Sequence, residues 1–278
     1  MDTAAFLQAI PSLFVGGDVA EGELVDDRFA AVAADTSGFT TPTVLAILHL
    51  AATLLPADEA YLEVGTFQGR SLCGTMHGLS SGHFYGVENF SEFGMMGAEA
   101  RQALTANLSR WTDDGLLTLL EGDSFEVLSR PELIQQPVGV YFYDGAHTLL
   151  THYLALGVAE PLLADHALVL IDDAGWPLVR RATERYIRER PWWSVLTEFR
   201  PLGDDDARWA NGLMALEFRR PASSEASQRD VVWRSSLYQQ VERPLTSRAW
   251  RFVHEHPVVV PALKKLVPTR GRRVDPRA

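Results

Sequence analysis

The 278-residue sequence contains one cysteine and two lysines, and it has no hydrophobic run long enough to span a membrane. With Cys73 alone, an intramolecular disulfide is excluded, which suits a reducing compartment. The longest apolar run, from Val44 to Leu55, has about twelve residues and includes His49, whereas a membrane span needs about 20. The first residues lack the positive charge of a secretory signal. We therefore expect a soluble cytoplasmic protein with no membrane partner.

Positive charge is also scarce over most of the chain. The net charge is −11, but residues 1–221 carry −17 and residues 222–278 carry +6. An acidic body argues against nucleic acid as the main partner. Arginine outnumbers lysine 23 to 2, which is typical of a GC-rich bacterial genome. The remaining composition, with 46% hydrophobic and 22% charged residues, is that of a globular protein and excludes a disordered or coiled-coil chain.

Short apolar runs alternate with stretches of helical period from residue 59 onward. Strands that alternate with helices favour a parallel α/β sheet. The last two strands follow each other without a helix between them, so we expect an antiparallel hairpin at one edge. The predicted strands are Ala60–Val64, His83–Val87, Leu116–Leu120, Val138–Tyr143, Ala167–Ile171, Ser194–Phe199 and Leu213–Phe218.

This order predicts a Rossmann-like, doubly wound α/β fold with a seven-stranded sheet, mostly parallel with an antiparallel last strand. Residues 1–57 are expected to form an N-terminal helical cap, in which Thr41 caps a helix that begins at Pro42. Residues 58–221 are expected to form the main domain, with helices at Ala98–Trp111 and Leu149–Leu163. Residues 222–278 form a basic C-terminal extension, which we interpret as a contact with a partner or a second copy, with disorder at its end as the alternative.

The turn after the first predicted strand is the most informative segment. Gly65 permits a tight turn, and Gly69 lets a ligand approach the backbone at the carboxyl end of the strand. The segment lacks the third glycine of the dinucleotide fingerprint and the lysine of a P-loop. Glu63 would repel a pyrophosphate but suits a cationic ligand. A plain strand–turn–helix with two glycines is the alternative interpretation.

The next two predicted strands also end in acidic residues. Glu88 and Asn89 end the second strand, where a carboxylate can accept hydrogen bonds from ribose hydroxyls. Nicotinamide-dependent enzymes share this feature, so alone it does not discriminate. Asp123 and Ser124 end the third strand, and Asp123 is alternatively a helix N-cap.

Three carboxylates follow the fourth and fifth strands, and they should converge at the same crevice as the first turn. Asp144 follows one strand, and Asp172 and Asp173 follow the other. Closely packed carboxylates repel each other unless a proton or a cation neutralises them, and Mg²⁺ commonly uses such ligands. The pair Asp172–Asp173 is alternatively a helix cap. An unperturbed imidazole suits a general base near neutral pH, so His147, near Asp144, is a candidate base. Alternatively it is a solvated or helix-capping loop histidine.

The string E-V-G-T-F-Q-G-R-S, which starts at Glu63, resembles the first motif of class I S-adenosylmethionine (SAM)-dependent methyltransferases. Together with Tyr143-Asp144-Gly145-Ala146-His147, it is similar to the metal-dependent small-molecule O-methyltransferases of the catechol, caffeoyl-CoA and macrocin types, the last in methyltransferase family 24. The resemblance covers roughly residues 58–220. Catechol-type enzymes have a lysine where this sequence has His147, and many macrocin-type sequences have an acid where it has Ala146.

The resemblance implies a SAM-dependent O-methyltransferase that acts on a hydroxylated small molecule such as a natural-product sugar, phenol or diol. Asp144 and His147 are the implied catalytic residues, with His147 as the base. Mg²⁺ would lie on Asp144, Asp172 and Asp173. The implied SAM-binding residues are Glu63, Gly65, Thr66, Phe67, Gly69, Ser71, Glu88, Asn89, Asp123, Ser124 and Asp144.

Other interpretations stay open at this point. One keeps the fold but places the methyl group on nitrogen or carbon without a metal. A second is a SAM-binding subunit without catalysis, and a third is a nicotinamide oxidoreductase, which the missing glycine pattern disfavours. The segment Phe90–Gly97 is interpreted either as an apolar lid or as core. No sequence pattern indicates which molecule accepts the methyl group or how many copies of the chain associate.

Overall fold

The computed structural model describes residues 1–90, 95–112, 115–203, 206–222, 225–245 and 248. The fold is built on a single seven-stranded sheet in this part of the chain. The first five strands in the chain are parallel to one another where they pair. The strands are β1 (Ala60–Val64), β2 (His83–Glu88), β3 (Leu117–Glu121), β4 (Val138–Tyr143), β5 (Leu163–Ile171), β6 (Trp193–Phe199) and β7 (Leu213–Arg219).

The strand order is β3-β2-β1-β4-β5-β7-β6. It reverses between β1 and β4, and in open α/β sheets ligands bind in the crevice at such a reversal. The predicted Rossmann-like, doubly wound fold with an antiparallel last strand is thus confirmed. The hairpin is also confirmed, but β7 inserts between β5 and β6 and is antiparallel to both, so that β6 forms the edge.

Helices surround the sheet. Thr41 caps the third helix by accepting a hydrogen bond from the Val44 amide at 3.4 Å, as the sequence indicates. The seventh helix ends at Ala159 because Pro161 follows, and β5 begins at Leu163; the helix predicted to reach Leu163 is therefore too long. The helices are α1 (Thr3–Ala9), α2 (Arg28–Asp35), α3 (Pro42–Thr53), α4 (Arg70–Met76), α5 (Met95–Trp111), α6 (Ser124–Leu128), α7 (Leu149–Ala159), α8 (Pro177–Arg188) and α9 (Glu225–Leu237).

The two faces of the sheet carry separate hydrophobic cores because successive strand residues point to opposite faces. In β4, Tyr141 and Tyr143 pack into a core shared with α6 to α9. Val140 and Phe142 pack into a second core shared with α1 to α5. All six β4 residues are buried, which explains the continuous apolar run in the sequence.

Both terminal segments contribute to these cores. The helices of residues 1–57 lie in the second core together with β1 and β4. In the C-terminal segment α9 packs on α7, where Gly157 leaves room for Val231: a Cβ atom there would lie 2.4 Å from the valine side chain. The three-part division at residues 57 and 221 stays a prediction, and residues 249–278 lie outside the described part. No described helix combines the length and apolar character that a membrane crossing requires.

Candidate active site

The first turn after β1 has a backbone that requires its two glycines. Gly65 has φ 92°, and a Cβ atom on it would lie 2.0 Å from the carbonyl oxygen of Asp144. Gly69 has φ 85°, and a Cβ atom on it would lie 2.5 Å from the Leu104 side chain. Both values lie in the left-handed region that favours glycine. The turn is therefore held against the end of β4, directly beside Asp144.

Phe67 also adopts a left-handed conformation, with φ 43°, and two neighbours hold it there. Its amide donates to Glu88 Oε2 at 2.8 Å, and its ring stacks on Phe39 with the ring centres 5.8 Å apart. Glu88 Oε1 accepts from the amides of Asn89 and Phe90 at 2.8 and 3.1 Å. The carboxylate predicted to meet a ribose thus also joins the turns after β1 and β2.

Glu63 and Ser71 bind each other beneath the turn. Glu63 is fully buried and accepts hydrogen bonds from Ser71 Oγ at 2.6 Å and from the Tyr61 hydroxyl at 3.0 Å. Burial raises the pKa of Glu63 to about 7, although both hydroxyl bonds act in the opposite direction. Tyr61 was not expected in this network, because its place in a strand resembled that of any core tyrosine.

The hydroxyl of Thr66, in the same turn, is buried, but no described residue forms a hydrogen bond with it. A buried polar atom without a partner costs free energy and calls for an explanation such as a bound ligand or water. Thr66 is one of the residues predicted to bind the cofactor.

Asp123 is the N-cap of α6, which confirms that interpretation of the sequence. Its Oδ1 accepts from the amides of Phe125 and Glu126 at 3.1 and 3.2 Å. Its Oδ2 accepts from the hydroxyl of Tyr238, in the C-terminal segment, at 3.0 Å. Asp123 is buried, and Ser124 begins the helix beside it.

The fourth and fifth strands bring acidic residues together with a histidine. His147 Nε2 lies 2.6 Å from Asp173 Oδ2 and 3.8 Å from Asp144 Oδ1. One potential ligand atom from each of these three residues lies within 4.8 Å of the others. Asp172, also predicted as a metal ligand, is next to this cluster in sequence but is not part of it. The cluster thus contains two of the three predicted metal ligands and the predicted base.

Burial and neighbouring carboxylates raise the pKa values of Asp144 and Asp172. Burial raises the pKa of Asp144 well above its usual range, and the charges of Asp172 and Asp173 add to the effect. Burial also raises the pKa of Asp172 to about 8, with the charge of Asp173 as the second cause. A cation or protons would relieve this repulsion.

Asn211, in the loop before β7, fixes the position of Asp173. Its side-chain amide donates to Asp173 Oδ1 at 2.7 Å, and its carbonyl accepts from Gly175 at the same distance. Asp173 has φ 54°, a conformation that these contacts support. Sequence reasoning missed Asn211, since the pair Asn211-Gly212 indicates a turn but no partner.

The helix-cap alternatives for these residues are wrong. Trp176, rather than Asp172 or Asp173, occupies the N-cap position of α8 and makes no side-chain cap bond. Thr148, rather than His147, caps α7.

Aromatic rings surround the histidine. The ring of Trp176 lies 5.2 Å from that of His147, and the ring of the buried His152 lies 5.5 Å from it. Trp176 keeps 37% of its surface exposed. The imidazole therefore lies beside an accessible aromatic surface. Residues 91–94 of the predicted lid lie outside the described part of the chain.

Comparisons with known proteins agree with the fold. Residues 62–174 match the methyltransferase domain of methyltransferase family 24. No curated protein matches the chain significantly. Among solved structures, the chain is similar to an O-methyltransferase from Bacillus cereus in complex with S-adenosylhomocysteine (SAH), with 17% identity and a TM-score of 0.51. It is also similar to the O-methyltransferase TomG from Streptomyces achromogenes, involved in tomaymycin synthesis and solved with SAM, with 18% identity and a TM-score of 0.52.

Each of these two similarities covers 70% of this chain and 91% of the other chain. At such identities the similarity establishes the fold. The match over residues 62–174 identifies a methyltransferase domain in this part of the chain, consistent with the class I SAM-dependent family that the sequence motifs resemble.

Proposed function

We propose that the protein transfers the methyl group of SAM to a hydroxyl oxygen of a small molecule. The observation that carries this proposal is the position of the Asp144–His147–Asp173 cluster against the first turn. Gly65 approaches the backbone of Asp144 so closely that no side chain fits between them. A proton acceptor and a methyl donor bound at that turn would therefore be neighbours, as methyl transfer to a hydroxyl requires.

The residues of the first turn fit SAM. Gly65 and Gly69 give the turn its left-handed backbone, and the buried Thr66 hydroxyl has capacity for a ligand. We assign the methionine part to this turn and to Asp144, and the ribose to Glu88 and Asn89. The adenine lies toward Asp123 and Ser124 in this arrangement. Glu63 and Ser71 support the turn from beneath through their mutual hydrogen bond.

The donor set of the cluster also fits a divalent cation. Asp144 and Asp173, with Asp172 beside them, offer the oxygen atoms that Mg²⁺ prefers, whereas a histidine nitrogen favours transition metals. We therefore assign Mg²⁺ to the three carboxylates and leave His147 for proton transfer. When bound, such a cation would lower the pKa of a substrate hydroxyl and offset the repulsion among the carboxylates.

His147 takes the proton in this mechanism. The hydroxyl oxygen forms a bond to the methyl carbon while the bond from sulfur to that carbon breaks. The hydroxyl proton passes to the imidazole, and SAH leaves with the sulfur electron pair. Asp173 holds His147 through the 2.6 Å contact and stabilises its charged form. Trp176 presents an exposed ring on which a sugar or phenol can stack.

Calorimetry with SAH, in Mg²⁺ and in EDTA, tests the cofactor and the metal together. We expect micromolar binding and an additional heat that needs Mg²⁺. Methyl transfer to a panel of catechols and vicinal diols should then be lost in EDTA. Activity that survives EDTA on amine or carbon acceptors would contradict the O-methyl proposal, and no SAH binding would contradict methyl transfer itself.

Two variants separate the base from the metal ligands. His147→Ala should lower kcat by about 10²- to 10⁴-fold and leave Mg²⁺ and SAH affinity unchanged, because it removes only the proton acceptor. Asp173→Asn should weaken Mg²⁺ binding. His83→Ala, at an exposed histidine on the opposite end of β2, is the matched control. A His147→Ala protein that loses Mg²⁺ affinity would identify the histidine as a ligand instead.

A further inference from the structure

The C-terminal segment returns to the ends of β3 and β4. After α9 a π-helical turn spans Tyr238–Glu242, and we name the stretch 238–243 the clasp. Tyr238 and Arg243 reach Asp123, and Arg243 also pairs with Glu126. The clasp therefore covers the end of the site that we assign to adenine.

Asp123 has little hydrogen-bonding capacity left while the clasp is closed. Oδ1 accepts from two amides of α6 and from Gln239 Nε2 at 3.4 Å. Oδ2 accepts from Tyr238 at 3.0 Å and lies 3.4 Å from Arg243 Nε. Only 5% of the residue is exposed. An adenine amino group, which is a donor, would have to replace one of these contacts.

The clasp closes over neighbouring elements as well. The ring of Tyr238 packs edge-on against Phe125, with the ring centres 4.6 Å apart. Glu242 accepts a hydrogen bond from the hydroxyl of Thr148, which caps α7 and directly follows His147 in the chain. The clasp is thus linked to the acceptor side of the site as well as to the cofactor side.

The base of α9 and the clasp differ in how they are held. At the base, Asp230 binds Tyr153 and Arg234, and the buried Arg190 lies 3.6 Å away. Beyond this point the outer residues Leu237, Val241 and Leu245 are exposed at 39%, 47% and 59%. The clasp itself contains the π-helical turn, and such turns are frequently found at functional sites. The base can therefore stay in place while the clasp moves.

We propose that the clasp is a gate on the cofactor site: Tyr238 and Arg243 occupy Asp123 in the free protein, and SAM binds when they release it. This inference rests on the proposed function, since it concerns the same cofactor. If only a fraction of the molecules have an open clasp, the apparent Kd for SAM equals the intrinsic Kd divided by that fraction. Weakening the clasp should therefore strengthen cofactor binding.

Binding kinetics of the full chain test the gate. Tyr238→Phe and Arg243→Met each remove one contact to Asp123, and we expect each to lower the Kd for SAH by about five- to tenfold, mainly through a faster association rate. Gln240→Ala changes an exposed residue on the same turn and should bind as the unmodified protein does. Equal Kd values for all four proteins would overturn the gate.

Hydrogen exchange of the unmodified protein gives a second readout that does not depend on the variants. SAH should slow amide exchange in residues 65–71 and accelerate it in residues 238–243. Slower exchange in both segments would mean that the clasp closes over the bound cofactor, which would overturn the gate while supporting the proposed function. No SAH binding by any of the four proteins would overturn the proposed function and the gate with it.

Discussion

Two groups of acidic residues in this protein differ in how their charges are neutralised. Asp230 bonds to Tyr153 at 2.8 Å and to Arg234 at 3.0 Å, with Arg190 at 3.6 Å. Burial alone would raise the pKa of Asp230, but these partners more than offset it and the pKa is lowered. Asp144 shows the opposite: its pKa is raised by burial and by the neighbouring carboxylates.

The difference separates acids that hold the fold from acids that serve the site. Around Asp230, arginines of the chain itself neutralise the carboxylate charge. These contacts join α7, α9 and the segment that follows α8. Around Asp144, by contrast, the neighbouring groups include other carboxylates, so neutralisation of the charge requires a proton or a ligand. Such an arrangement is typical of functional sites. The comparison can be tested by removing one group from each region.

The largest effect is expected from Asp144→Asn. It removes one of the proposed cation ligands, so kcat/KM should fall by about a thousandfold, or about 4 kcal/mol. The same change relieves repulsion with Asp172 and Asp173, so the Tm of the metal-free protein should stay equal or rise. Enzyme assays and thermal unfolding in EDTA measure both. Asp165→Asn, at an exposed acid paired with Arg220, is the control, and a fall in Tm for Asp144→Asn alone would contradict the comparison.

Arg190→Met should have the next largest effect, which we expect on the stability of the fold rather than on activity. The arginine is buried, packs 3.8 Å from the centre of the Tyr186 ring and lies near Asp230. Its loss removes the hydrogen bonds to the Tyr153 hydroxyl and the Tyr186 carbonyl and the cation packed on the Tyr186 ring, and we expect the free energy of unfolding to fall by about 3 kcal/mol. Urea denaturation measures this loss. Arg185→Met, at an exposed residue near the end of α8, should cost less than about 1 kcal/mol. Equal losses for the two variants would show that the burial of Arg190 does not contribute to stability.

Glu63→Gln should show the smallest effect, and one that depends on pH. The folded pKa of Glu63 is about 7, above the ordinary 4.5, so its contribution to stability is complete below pH 4.5 and is lost as the pH rises through 7. Glutamine does not ionise. The stability of the unmodified protein relative to the variant should therefore fall by about 2–3 kcal/mol between pH 5 and pH 8.

Urea denaturation of both proteins at the two pH values measures this change. Glu132→Gln, at an exposed glutamate, should show no pH-dependent difference. A pH-independent difference for Glu63→Gln would mean that Glu63 stays charged in the folded protein.

The fold could be predicted from the sequence because each strand coincides with a separate apolar run. The seven strands lie where the runs are, with ends that differ mostly by a residue. The start of β5 was missed by four residues, because Asp165 and His166 interrupt its apolar character and are exposed in the sheet. The insertion of β7 between β5 and β6 was not predicted, since a hairpin fits a sheet edge in either order.

The candidate site was predictable only where motifs mark it. Gly65, Asp144 and Asp173 follow strands that end at the same crevice, so their convergence follows from topology. Asn211 and Tyr238 come from distant parts of the chain, and nothing in their local sequence indicates a contact with Asp173 or Asp123. The binding roles of the individual residues stay predictions.

The position of β7 also has a consequence for synthesis of the chain. Of the described strands β7 is the last to be made, yet it is the partner that covers the free side of β5. Residues 172–212 are translated between the two strands, which takes about 2–8 s at ordinary ribosome rates. Until β7 has been made and pairs with it, one side of β5 lacks its strand partner, and such unpaired edges promote aggregation. Asn211 arrives at the end of the same interval, so the acidic cluster cannot assume its final geometry until the ribosome has nearly finished the sheet.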